Sequence, residues 1–128
     1  MKGDTILLRQ IHPTFVQQGR VTSQAFRPTP KDENRLSAYD GDQIGPEPAW
    51  HHFTAVLGFA SVGVMGVNVA ECAALHLPVE PDPEPFPEHV VIDFSGMDKP
   101  AIEKLAKKLR SIADARGWLY QAAFFPPR

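Results

Sequence analysis

A single cysteine, Cys72, stands in 128 residues. No disulfide can therefore form within the chain, which excludes the disulfide-stapled class of small secreted domains and favours a cytoplasmic setting. Export signals are missing too, because the apolar run 6–8, between Lys2, Asp4 and Arg9, is too short for the core of a signal peptide. No phosphate-cradling glycine loop and no G-x-S-x-G nucleophile turn is present; Gly63 and Gly66 resemble the former only superficially. A long membrane-spanning run is lacking as well. The uncharged stretch 53–70 comes nearest, but Gly58, Ser61, Gly63, Gly66 and Asn68 interrupt it and its period changes midway, as when a helix hands over to a strand. No membrane association is expected.

What remains is an ordinary globular composition, 43% hydrophobic and 22% charged, in a length that fits one domain spanning residues 1–128. The 13 prolines are the exception. Each fixes φ and removes a backbone donor, so helix interiors and central strands are confined to the proline-poor stretches and the connections are long. The net charge of −2 conceals a division along the chain. Residues 1–31 carry five bases against one acid, residues 32–97 one base against eleven acids, and residues 98–128 seven bases against three acids. Either the basic ends pack near the acidic middle, or they form a basic face for an anionic partner.

Residues 5–11 read as a first strand, ended by His12-Pro13, and residues 13–19 as one helical turn stopped by Gly19. Two further strands are expected over 20–27 and 35–39. A helix over 46–57 carries Trp50, Phe53 and Leu57 on one stripe. A strand over 61–67 follows, in which the apolar parity slips across Gly66 and suggests a bulge. Asn68 and Glu71 have capping-box spacing for a short helix to about residue 77. The acidic proline-rich segment 78–88 reads as an extended connection, and residues 89–94 as a strand with Val90, Ile92 and Phe94 on its core face. The last helix is the most regular: Asp98 can cap it, Ile102, Leu105, Ala106, Leu109, Ile112 and Ala113 form its stripe, and Gly117 ends it. Residues 118–125 make a final strand. These elements add up to an α+β domain: a single mixed or antiparallel sheet of about six strands with two or three helices packed on it.

The chemistry-bearing residues crowd between residues 10 and 41, where His12, Arg20, Ser23, Arg27, Ser37, Tyr39 and Asp40 lie among short apolar runs. His12, at a strand end before a loop, is the candidate general base; Arg20 and Arg27 are candidate anion clamps and Ser23 an orienting hydroxyl. Asp93, mid-strand, is the candidate acid, and His89 shares its face at ~13 Å along the strand. Cys72 and His76 are spaced like metal ligands on one helix face, but two ligands do not make a site, and His51 and His52 point about 100° apart. No metal or cofactor is expected. Arg9, Arg20, Arg27 and Lys31, interleaved with Phe15 and Phe26, could touch a phosphate backbone, yet a pI near 6.2 argues against nucleic acid as the partner.

Two function classes follow. The first is a small accessory or protein-partner-binding module that uses the proline-rich loop and the irregular N-terminal third, with Phe86, Phe124 and Phe125 as an exposed patch. The second is a small enzyme acting on a phosphate-bearing or nucleotide-like substrate, with His12, Arg20, Ser23 and Arg27 gathered in one cleft. A homo-oligomer joined through an edge strand at 118–125 is a further possibility.

Overall fold

The computed structural model describes residues 1–122. Alternation builds its first strand, β1 (Ile6–Gln10): Leu7 joins the larger of two apolar clusters and Leu8 the smaller, on opposite faces of the sheet. The strand stops where His12 accepts the amide of Thr14 and Pro13 opens a 3-10 turn over Pro13–Phe15. A two-residue hairpin follows, β2 (Val16–Gln17) and β3 (Arg20–Val21), turned by Gln18 and Gly19 at positive φ. The strand expected over 20–27 ends at Val21. Ser23–Phe26 is instead a 3-10 helix, which places the adjacent Ala25 and Phe26 on one side and buries both.

β4 (Arg35–Asp40) pairs with β1 and begins a continuous antiparallel layer. Helix α1 (Pro46–His51) starts on Pro46 and widens into a π-helical segment over His52–Val56, closed by the Leu57 amide on the His52 carbonyl. β5 (Gly63–Asn68) pairs with β1 in unbroken register from Ile6↔Asn68 to Gln10↔Val64, so Gly66 is no bulge. A Cβ there would lie 2.7 Å from Ile6 and 2.8 Å from Leu119. Gly66 answers close packing on a strand buried on both faces, which is also why the apolar parity could slip without cost.

Asn68 caps α2 (Val69–Ala74) with the full reciprocal capping box to Glu71. The proline-rich segment contributes β6 (Val79–Pro81), an edge strand, as proline requires. β7 (His89–Asp93) pairs with β6 on one side and β4 on the other. α3 (Lys99–Arg116) is capped by Asp98, buries Ile102, Ala106, Leu109 and Ala113, and ends at Gly117 with φ 88°. β8 (Tyr120–Gln121) closes the opposite edge. The remainder of the expected strand 118–125, with Phe124 and Phe125, lies outside the described residues.

The fold is thus α+β, with one antiparallel six-stranded sheet ordered β6-β7-β4-β1-β5-β8. α3 and the Ser23–Phe26 turn cover one face, where Phe26, Leu109 and Phe94 are wholly buried. α1 covers only part of the other, resting on β5, β1 and β8. Among the described residues no helix lies along β4 and β7 on that second face, where only His52 of the π-helical segment reaches over to Tyr39. Among the described residues, no helix is long and apolar enough to cross a membrane. The basic C-terminal helix and the acidic middle do meet, in the ion pair of Arg116 with Glu71 at 2.9 Å.

Candidate functional site

The uncovered part of the second face is concave. A pocket of about 350 Å³ lies there, floored by Leu8, Gln10, Ser37, Tyr39 and His89 of three neighbouring strands. Pro85 and Phe86 of the proline-rich segment form one wall, and Phe53, Leu57 and Phe59 the other. Its size falls in the range of small-ligand sites, roughly 300–1,000 Å³. The rim is unusually apolar for a surface: Phe59 is 58% and Leu57 38% exposed, and Gly58 at φ 79° turns the chain so that Phe59 packs against Phe53 at 5.2 Å.

Aromatic stacking fixes the proline-rich wall. Phe86 stacks on Tyr39 at 4.8 Å and meets the rings of His52 and His89 edge-on at 4.8 and 5.1 Å. The Tyr39 hydroxyl lies 2.8 Å from His52 Nδ1. Burial and the Glu88 charge push its pKa upward, so Tyr39 keeps its proton in this contact.

Polar groups converge on the floor. His89 Nδ1 lies 2.8 Å from the Asp82 carbonyl oxygen, and its Nε2 lies 3.0 Å from Ser37 Oγ. A carbonyl only accepts, so Nδ1 carries a hydrogen; in the neutral ring Nε2 then holds the lone pair, and the Ser37 hydroxyl donates to it. The Asp82 carboxylate stands 3.5 Å from Nδ1. Gln10 is held from behind: its Oε1 accepts the Ser61 hydroxyl at 2.8 Å, and the Ser61 carbonyl accepts Trp50 Nε1 at 2.9 Å. Gln10 Nε2 is buried with no partner among the described residues. Arg9 donates to the Ala25 and Ser37 carbonyls, and burial, partly offset by Asp32, brings its pKa down to about 10.

The four residues singled out from sequence are distributed differently. Arg20 and Ser23 line one depression of about 580 Å³, with Lys107, Arg110 and Ser111 of α3. His12 lines another hollow with Phe15, Phe53 and Phe59, and its Nδ1 is engaged by Thr14. Arg27 lines neither; its Nε is buried without a partner among the described residues. Asp93 is the last residue of β7 and its Oδ1 accepts the Ser95 amide; hydrogen bonds from Ser95, with Arg35 adding charge, hold it below the usual carboxylate range despite some burial. Cys72 is buried and its thiol pushed up to about 12 by burial and by Glu71, while His76 is exposed. Among the described residues no three metal-ligating side chains cluster.

Ser37 and His89 could have been placed on this face from strand alternation alone, Ser37 opposite Leu36 and Ala38, His89 opposite Val90. Their pairing could not, because it depends on β4 and β7 being neighbours, which brings together two residues 52 apart in the chain. The chain matches no protein-family model, no curated protein and no solved structure.

Proposed function

We propose that the chain is a binding module for a small neutral ligand with an apolar body and one hydrogen-bonding head, taken into the pocket over β4 and β7. The observation that carries this reading is an apolar-walled pocket on a half-covered sheet face, with one exposed polar group, the Ser37 hydroxyl, on its floor. A ligand's polar head can pair with that hydroxyl, and a hydrocarbon filling the pocket cannot. The proline-rich segment serves here as a stacked wall through Phe86. The exposed Leu57 and Phe59 at the rim are where a protein partner would meet the same surface.

The test is a titration of the protein with acetanilide, an aromatic ring bearing one amide, followed by amide chemical shifts. Shifts are expected at Ser37, Tyr39, Phe53 and Phe59, and Phe59→Ser should weaken them several-fold. Shifts scattered over the surface, or none at the solubility limit, would overturn the reading.

A second reading draws on the gathering of Arg20 and Ser23 with Lys107 and Arg110, basic residues from both ends of the chain. It is an anion site for a phosphate-bearing group, without His12 as its base. Inorganic phosphate in place of acetanilide addresses it: shifts at Ser23 and Ser111 rather than at Ser37 would favour this site.

A further inference from the structure

We propose that Ser37 is a nucleophile and His89 its general base, and that the pocket hydrolyses small neutral carboxylic esters; this rests on the ligand-binding reading above. Three observations carry it. The tautomer of His89 is set by the Asp82 carbonyl, so that Nε2 faces Ser37 as an acceptor at 3.0 Å, the arrangement a hydroxyl nucleophile needs from its base. Ser37 is exposed toward the pocket while His89 is only 8% exposed, so the nucleophile is reachable and its base is shielded. The Asp82 carboxylate, 3.5 Å from Nδ1, supplies the negative charge that favours the imidazolium formed in the reaction. Phe86 against the His89 ring holds its plane.

In the acylation step Ser37 Oγ bonds to the ester carbonyl carbon as its proton passes to His89 Nε2. The carbon–alkoxide bond then breaks, and the alkoxide takes that proton and leaves as the alcohol. In the second step water bonds to the acyl carbon and gives a proton to Nε2. The bond to Ser37 Oγ breaks, the proton returns to Oγ, and a carboxylic acid leaves. The sum is ester plus water to acid plus alcohol, with no other reactant.

The experiment labels the full chain with a fluorophosphonate, identifies the modified peptide by mass spectrometry, and follows p-nitrophenyl butyrate hydrolysis in parallel. Label is expected on Ser37, and Ser37→Ala, at an exposed position, should abolish it and lower the hydrolysis rate by on the order of 10²-fold or more. His89→Gln should slow labelling comparably. Because that substitution is buried, Ser37→Cys provides a check that keeps the fold: a thiol beside Nε2 should react with iodoacetamide at pH 6 about tenfold faster than free cysteine. Labelling that Ser37→Ala leaves unchanged, or a thiol no faster than free cysteine, overturns the proposal. Acetanilide shifts without labelling also overturn it while leaving the pocket reading standing. Labelling without acetanilide shifts would sink the pocket reading instead.

Discussion

Glu71 joins three elements, and changing it to glutamine should report on all of them. Its Oε1 accepts the Asn68 amide at 2.6 Å and Arg116 Nη1 at 3.0 Å, its Oε2 accepts Arg116 Nη2 at 2.9 Å, and Arg116 Nη1 also donates to the Gly66 carbonyl. The carboxylate thus closes the cap of α2 and ties the end of α3 to the buried strand β5. Glu71→Gln preserves shape and one acceptor but turns an N–H₂ group toward a guanidinium. Both partners are about three-quarters buried, so the effect falls between an exposed ion pair, ~0.2–1 kcal/mol, and a charge-assisted buried bond, ~1.5–3 kcal/mol. We expect a loss of about 1–2 kcal/mol at pH 7, read from urea unfolding. Burial alone would raise the Glu71 pKa, but the Arg116 and Asn68 hydrogen bonds and the Arg116 charge outweigh it and hold it below its ordinary value of 4.5. A depressed acid contributes stability above its unfolded pKa and loses that contribution as pH falls through the folded value. The gap between the native and substituted proteins should therefore narrow as the pH drops below 4.5. An equal gap at pH 7 and at pH 3 would refute the reasoning, since shape and not charge would then account for it.

Two further outcomes are expected. Cys72, with its thiol pushed up to about 12, should not react with a disulfide reagent at pH 8 in the native protein, and should titrate as one thiol once guanidinium unfolds the chain; a fast native reaction would mean that α2 opens readily. Phe94→Ala, which removes a ring with 0% exposure from beneath α3, should cost about 3–5 kcal/mol in urea unfolding, and a loss below about 1.5 kcal/mol would show that the core closes over the space.

The parts of this fold legible in the sequence are those whose signal is local. The α3 stripe from Ile102 to Ala113, its Asp98 cap and its Gly117 stop, the Asn68–Glu71 box and the alternation of β7 all depend on residues within a turn or two of each other. Residues 22–27 were harder to read because Ala25 and Phe26 are adjacent. In a strand they would face opposite sides, and the deciding fact is that both are wanted under α3, which only tertiary contact reveals. The site was the least legible. His12 and Arg27 stand in the same polar stretch as Ser37, and nothing in their spacing says that Ser37 alone among the three lies next to a strand carrying His89.

The pocket follows from the same polar residues that furnish it. On the second face the residues over β1, β4 and β7 include Gln10, Ser37 and His89 beside Leu8 and Tyr39. A helix laid there would also take the exposed Ser37 hydroxyl out of water, Gln10 and His89 being buried already, and a polar group left without a partner costs roughly 1–3 kcal/mol. The chain instead turns away: α1 widens to a π-helical segment, ends by Gly58, and returns through Ser61 to β5, so that its cover stops at Phe53 and Phe59. From the other side the proline-rich segment, unable to add a full strand or a helix, reaches in only as far as Phe86. Between these two margins the face stays open at Ser37. Ser37→Leu, which sets an apolar side chain on the exposed part of that face, should therefore leave the free protein about as stable in urea unfolding as the native chain while removing the acetanilide shifts, and a marked loss of stability would show that the fold itself needs the Ser37 hydroxyl.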